Sequence, residues 1–173
     1  AMVRALEDKV IDTSDVIDTK NGILSFYGRK VRDSKKGGYG KISAARAFEV
    51  SSNTALVQII NDNYQDKPEK FVEGLFDMKI NTPLGLPILG EGVPKFTHPN
   101  DKVNWDGLDL PWMAFGYGIS LTPLQTLTFY NAIANNGVMV KPRFIKEVKQ
   151  FDQVVEKFDT CLLYTSDAAD EST

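Results

Sequence analysis

The chain of 173 residues is poor in the side chains that most often build metal and redox sites. It has one cysteine, Cys161, and one histidine, His98. A single thiol forms no disulfide within the chain, and a lone histidine makes neither a zinc site nor a Ser-His-Asp triad. We therefore predict no bound metal and no cofactor, and we interpret His98 as a surface residue.

Long apolar runs are missing as well. The longest run covers only a few residues, whereas a helix that spans a bilayer needs about 20. No charged-then-apolar leader segment opens the chain. With 42% hydrophobic and 25% charged residues, the composition is ordinary for one globular domain with a core of its own.

Both ends of the sequence differ from the part between them. Residues 1–8 read as the middle of an amphipathic helix without a capping residue, so we expect the chain to begin inside an element. Residues 161–171 share no periodicity with the rest and resemble the translation of a sequencing adapter. We predict that residues 1–160 are a domain fragment and that residues 161–173 are a non-native tail. A natural disordered tail is the alternative.

Apolar periodicity predicts an α+β domain. Helices are predicted at residues 2–10, from Ser43 to about Val50, after residue 53, from Pro68, and from Thr122 to Asn135. The helix after residue 53 should bury Leu56, Ile59, Ile60 and Tyr64, and the helix from Pro68 should bury Phe71, Val72, Leu75 and Phe76. Short strands are predicted at 16–19, 23–27 and 31–33. A β-hairpin is predicted within 138–155, and residues 81–110 should be irregular.

Ser51 and Asn53 stand where one helical pattern ends and the next begins. A serine hydroxyl relays protons when a base holds it, and an asparagine carboxamide offers one acceptor and two donors. Together they can orient a peptide-like substrate and pass a proton to a leaving amine. Helix capping is the competing interpretation, because serine and asparagine are common caps and the triplet often arises by chance.

Residues 29–41 carry six basic side chains and a single acid, Asp33. An anionic partner is one interpretation, but nucleic-acid binding usually adds stacking aromatics and a positive charge over the whole domain. Residues 1–160 have no net charge, since the tail holds three acids and no base. We therefore predict a solvated loop and no nucleic-acid partner.

Trp105 and Trp112 either line a peptide groove or pack under a loop, and we favour packing.

The glycines at 37–40 and at 116–118 lack the spacing of phosphate-binding or dinucleotide-binding loops, so we predict turns with positive φ.

These glycines also belong to a larger pattern of sequence blocks. Five blocks follow one another in the sequence, at residues 28–34, 37–40, 47–53, 116–125 and 133–143. Over roughly residues 2–150 they resemble the transpeptidase domain of class B penicillin-binding proteins, with the character of the division-type enzymes of Bacteroidetes.

The resemblance implies a penicillin-binding transpeptidase fold, which is also that of serine β-lactamases. This chain would hold part of that fold, mostly its helical lobe with a few antiparallel strands. In the family, the serine of a Ser-x-x-Lys motif attacks a D-Ala-D-Ala stem peptide, and an amine then takes the acyl group. β-Lactams acylate the same serine.

By position, the resemblance implies that Ser51 shuttles protons and that Asn53 holds the substrate amide. The family's Ser-x-x-Lys and Lys-Thr-Gly motifs are absent from this sequence. We expect them before residue 1 and beyond Val155, which makes the fragment inactive by itself.

The resemblance also implies partners and a location for the parent protein. These are a stem peptide, β-lactams, a glycosyltransferase and division or elongation proteins, with an inner-membrane anchor, absent here, and a periplasmic catalytic domain. Two alternatives stay open. One is a class D-type β-lactamase or β-lactam sensor domain, and the other is a non-catalytic pseudo-transpeptidase that binds division partners. Residues 122–125 favour the synthetic enzymes.

Overall fold

The computed structural model describes residues 1–165 and divides the chain into two compact units. Unit 1 comprises residues 1–75 and 96–120, and unit 2 comprises residues 76–95 and the residues from 121 onward. Helices and short antiparallel strands occur together in the described part of the chain. The predicted α+β class is confirmed.

Unit 1 holds most of the helices. They are α1 (Met2–Glu7), α2 (Ala44–Glu49), α3 (Asn53–Tyr64), α4 (Pro68–Asp77, whose last two residues belong to unit 2) and α5 (Asp109–Met113). The strands are β1 (Val16–Asp18), β2 (Ile23–Phe26), β3 (Arg29–Arg32), β4 (Lys41–Ser43), β5 (Lys95–Phe96, which begins in unit 2) and β6 (Ile119–Ser120). β1 pairs with β4 and β2 pairs with β3, both antiparallel.

Helix α3 lies at the centre of unit 1. It packs against α1, α2, α5, β1 and β3, so more than one side of the helix is covered. Ile59, Ile60 and Tyr64 are buried, as the periodicity predicts. Leu56 is only half-buried, and Val57 is fully buried in its place. The predicted stripe was wrong here because it assumed a single buried face, whereas neighbours on several sides widen the apolar surface.

A polar cluster joins α1 to α3 and α4. Arg4 Nη2 donates to Asp8 Oδ1 at 2.7 Å, and the Tyr64 hydroxyl donates to Asp8 Oδ2 at 2.7 Å. Lys70 Nζ lies 3.5 Å from the same oxygen. Burial, followed by the hydrogen bond to Asp8, raises the pKa of the Tyr64 hydroxyl well above its usual range, so this group stays a donor. The cluster fixes the end of α1 to the core.

Helix α4 approaches this cluster closely at Gly74. Phe71, Val72 and Leu75 are buried as predicted, whereas Phe76 is only partly buried. A Cβ atom on Gly74 would overlap the guanidinium of Arg4. The absence of a side chain at Gly74 therefore lets the arginine lie flat against the helix.

We expect Gly74→Ala to lower the free energy of unfolding by about 1–3 kcal/mol, the usual cost of overfilling a packed site. Arg4 has little room to move, because its side chain is only 17% exposed and bound to Asp8. Chemical denaturation followed by circular dichroism measures the change. Glu73→Ala on the exposed face of α4 is the control and should change stability by less than about 0.5 kcal/mol. Equal losses in both variants would contradict this packing.

The described part of unit 2 holds one helix of 12 residues and two strand pairs. These elements are α6 (Pro123–Ala134), β7 (Val138–Val140), β8 (Glu147–Gln150), β9 (Gln153–Lys157) and β10 (Leu162–Thr165). Thr122 and Gln125 form the predicted capping box, with reciprocal bonds of 2.7 and 3.2 Å. Asn136 and Gly137 have φ values of 51° and 83°, which confirms the predicted left-handed stop after α6.

The predicted hairpin within 138–155 is correct only in its second half. β8 and β9 pair antiparallel across a turn at residues 151–152, whereas β7 pairs with β10. Strand alternation marks β7 as extended but does not identify its partner. The strand β10 lies within residues 161–173. The non-native origin of those residues stays a prediction, and residues 166–173 lie outside the described part of the chain.

Within residues 1–165, no helix combines the length and the apolar character that crossing a bilayer requires.

Candidate functional site

The site begins where α2 ends. The backbone N–H of Ser51 donates to the Phe48 carbonyl at 3.1 Å, and the N–H of Ser52 donates to the Ala47 carbonyl at 2.9 Å. This pair of bonds is the Schellman motif, in which the first residue beyond the helix cap takes a left-handed conformation. Ser51 occupies that position with a φ of 51°. Glycine is the usual residue there, because a side chain costs roughly 1–2 kcal/mol in this conformation.

The side chain of Ser51 is held out of the core by this backbone state. Ser51 is exposed, and its hydroxyl makes no hydrogen bond to any other described residue. Neither burial nor capping therefore accounts for a serine at this position. A strained residue with a free hydroxyl is typical of a functional site, and the inference runs from the observed φ to that hypothesis.

Ser52 has the opposite environment, although it is the next residue. It is fully buried, and its Oγ accepts the Ala55 N–H at 3.2 Å, which caps the start of α3. The same hydroxyl donates to the Asp33 carboxylate at 3.1 Å. Ser52 therefore ends the Schellman motif of α2 and begins α3, so no flexible linker separates the two helices.

The carboxylate of Asp33 organises the start of α3. Its Oδ1 accepts from Ser52 Oγ and from the Thr54 N–H at 2.9 Å, and its Oδ2 accepts from Thr54 Oγ1 at 2.7 Å. Asp33 is only 9% exposed, but these donors satisfy its charge. Its position at the N-terminus of a helix also suits a negative charge, because the helix dipole is positive there.

The glycine-rich loop at 37–40 packs against the segment of backbone that holds Asp33. The Asp33 N–H donates to the Gly22 carbonyl at 3.0 Å. Gly38 lies so close to Gly22 that a Cβ atom on Gly38 would overlap the Gly22 backbone. The positive φ predicted for these glycines is confirmed. In this structure these glycines allow the backbone to pack closely next to Asp33.

Asn53 is the first residue of α3 and is half-buried. Its Nδ2 donates to the Arg32 carbonyl at 2.9 Å. This bond orients the carboxamide and leaves its oxygen and its second N–H hydrogen available to a ligand. Ser51 and Asn53 therefore lie at one helix junction, as the sequence predicts, with one side chain free and the other fixed.

Asp33 and Ser52 are the residues that the motif did not indicate. The available signal for Asp33 was weak: it is the only acid among six bases in residues 29–41. The basic side chains of this segment at 29, 30, 32, 35, 36 and 41 are exposed, and Lys35 Nζ lies 5.2 Å from the centroid of the Tyr39 ring.

Among residues 1–165, no group of three or more His, Cys, Asp or Glu side chains is placed to hold a metal ion.

Comparison with known proteins identifies the family. A family model, the penicillin binding protein transpeptidase domain, matches residues 1–169. The penicillin-binding protein PbpB of Mycolicibacterium smegmatis is 31% identical over 144 residues, which are 82% of this chain and 21% of that protein. The peptidoglycan D,D-transpeptidase FtsI of Buchnera aphidicola is 26% identical over 138 residues, which are 79% of this chain and 22% of that protein.

A solved structure shares the fold of this chain. The crystal structure of a peptidoglycan synthetase from Bifidobacterium adolescentis superposes with a TM-score of 0.76 at 24% identity, and the match covers 92% of this chain and 28% of that one. The chain belongs to the penicillin-binding protein transpeptidase family. It spans about a fifth of the length of the curated relatives it matches. The predicted fold is confirmed, and the Bacteroidetes origin stays a prediction.

We expect Asp33→Asn to lower the free energy of unfolding by about 2–3 kcal/mol, because hydrogen bonds to a charged acceptor are lost and an amide N–H₂ faces their donors. Thermal or chemical denaturation measures this loss. The control is Asp62→Asn, the same change on the exposed side of α3, which should shift stability by less than about 0.5 kcal/mol. A stable Asp33→Asn variant would mean that the carboxylate does not organise the site.

Proposed function

We propose that this chain is part of a serine-type peptidoglycan D,D-transpeptidase, which cross-links stem peptides through an acyl-serine intermediate and binds β-lactams. One observation carries the proposal. Ser51, with a free hydroxyl, occupies the left-handed position that glycine usually takes, two residues before Asn53, whose carboxamide is oriented by its bond to the Arg32 carbonyl. Membership of the penicillin-binding protein transpeptidase family supports the same activity.

The role proposed for Ser51 is proton transfer. Its hydroxyl lies at the C-terminal end of α2, exposed and free to donate or accept. In acyl transfer, a proton must leave the attacking serine and reach the leaving amine, and a hydroxyl between them can carry it. The attacking serine and its lysine partner belong to the Ser-x-x-Lys motif, which this sequence does not contain.

The role proposed for Asn53 is substrate positioning. Its carboxamide can accept from the N–H of a peptide and donate to a carbonyl, so it can bind one peptide unit of a D-Ala-D-Ala stem. The bond from Asn53 Nδ2 to the Arg32 carbonyl holds the side chain before substrate arrives. A group held in advance loses little conformational entropy on binding, which favours catalysis.

For the complete protein, we further propose an inner-membrane anchor, a periplasmic catalytic domain, and action beside a glycosyltransferase and division or elongation proteins. The support comes from the family alone: the FtsI protein of Buchnera aphidicola is a relative over 79% of this chain.

In the complete protein, we expect Ser51→Ala to slow acylation by a fluorescent penicillin by about 100-fold or more, the usual contribution of a positioned proton-transfer group. Its stability should not fall, because the Ser51 hydroxyl has no partner among the described residues. The control is the neighbouring Ser52→Ala, which removes a helix cap and should cost about 1 kcal/mol of stability. Stopped-flow acylation and denaturation measure the two effects.

An unchanged acylation rate in Ser51→Ala would remove Ser51 from the mechanism. Rapid hydrolysis of a chromogenic cephalosporin by the unmodified complete protein would instead favour the β-lactamase alternative. Complete absence of acylation, with an intact fold, would favour the pseudo-transpeptidase. These three outcomes are separate, so the experiment distinguishes the proposed function from each alternative.

We expect the 173-residue chain itself to show no covalent labelling by fluorescent penicillin, because it contains no Ser-x-x-Lys nucleophile. The complete gene product should be labelled under the same conditions. Gel fluorescence after denaturation measures both, and excess unlabelled penicillin supplies the control for specificity. Specific labelling of the short chain would show that the nucleophile lies within it.

A further inference from the structure

A cavity of about 440 Å³ opens within unit 1. Its walls come from the turn between β2 and β3, the C-terminal end of α3 and the loop before α5. The residues that matter for its chemistry are Tyr27, Asn61, Gln65, Asp66, Trp105 and Asp106. Its volume lies within the range of about 300–1,000 Å³ that is typical of small-ligand pockets.

Tyr27 is an unusual residue for its position. It forms a two-residue turn with Gly28, and both have positive φ, at 46° and 78°. Asparagine, aspartate and glycine are preferred in such turns, and a bulky residue there is an outlier. The residue is also 81% exposed. Neither backbone preference nor burial therefore accounts for a tyrosine at this position.

The ring of Tyr27 has a defined place beside the cavity. It lies against Gly107, where a Cβ atom would overlap the ring. Trp105, from the same loop, also lines the cavity and is only half-buried. Phe26 lines the cavity too, so three aromatic residues border it, and one of them, Tyr27, lies beside backbone that carries no side chain.

The electrostatic character of the cavity is negative. Asp66 and Asp106 line it, and no lysine, arginine or histidine of the described residues does. The C-terminal end of α3 adds the negative end of a helix dipole. The exposed carboxylate of Asp66 has no hydrogen-bond or ion-pair partner among residues 1–165. The negative charges at the cavity therefore have no basic side chain beside them in its described lining.

Aromatic faces combined with carboxylates are the chemistry that holds ammonium and guanidinium groups. Asn61 and Gln65 offer polar atoms to the peptide backbone next to such a group. Asn61 Nδ2 donates to Gln65 Oε1, which leaves the Asn61 oxygen available as an acceptor and the Gln65 amide hydrogens available as donors. We propose that this cavity binds an arginine or lysine side chain of a partner protein segment. The proposal does not depend on the function of Ser51 and Asn53.

The test is calorimetric titration of the full chain with a short, end-capped peptide of alternating glycine and arginine. We expect saturable binding in roughly the high-micromolar to millimolar range. The same peptide with citrulline, which has the shape of arginine without its charge, should not bind measurably. A peptide with glutamate instead of arginine should not bind either.

Three variants locate the binding. Tyr27→Asn removes the ring but suits the left-handed turn, so the fold is kept and binding should weaken at least about fivefold. Asp66→Asn should weaken binding by a similar factor through loss of charge. Asp62→Asn, one turn earlier on α3 and outside the cavity, is the control and should change affinity less than about twofold.

Several results would overturn the proposal. They are absence of saturable binding, equal binding of the citrulline peptide, or equal weakening by Asp62→Asn, which would indicate a general charge effect. Saturable binding of a neutral chito-oligosaccharide that Tyr27→Asn abolishes, without binding of the arginine peptide, would assign the cavity to carbohydrate instead.

Discussion

The carboxylate of Asp33 accepts hydrogen bonds from the side chain of Ser52, which caps α3, from the side chain of Thr54 in the first turn of α3, and from the Thr54 N–H. Through these bonds it joins the strand β3 to the N-terminus of the central helix. Its own N–H is held by Gly22, against which the glycine-rich loop packs. A buried carboxylate is costly unless it is fully bonded, so this arrangement tolerates little displacement. The position of Asn53 depends on it.

Two adjacent serines at the junction between α2 and α3 have different roles, because one stabilises the fold and the other is proposed to act in catalysis. Ser52 is buried, closes one helix and caps the next, and bonds to Asp33. Ser51 is exposed and has a strained backbone, and its hydroxyl makes no hydrogen bond within the described residues. The hydrogen bonds of the Schellman motif and of Ser52 hold the backbone, and so they stabilise the left-handed state of Ser51. The backbone strain is confined to Ser51, and the hydrogen bonds made by the residues on either side compensate for its energetic cost.

Much of the local structure could be predicted from the sequence, because it depends on contacts between near neighbours. The capping box of Thr122 and Gln125 and the left-handed stop at Gly137 follow from residues within one helical turn of each other. The partner of β7 could not be predicted in this way, since β10 lies more than twenty residues further along. The half-buried position of Leu56 likewise depends on which elements cover α3.

The sequence by itself determined the α+β class, most helix boundaries and the pairing of Ser51 with Asn53 at a helix junction, since short-range hydrogen bonding and apolar periodicity decide these. Only the tertiary structure decided that Asp33, 19 residues before Ser52, organises the junction. It also decided that Tyr27 and Trp105 share one cavity. The physical reason is the same in each case: residues far apart in the chain acquire a common environment only when the elements that carry them pack together.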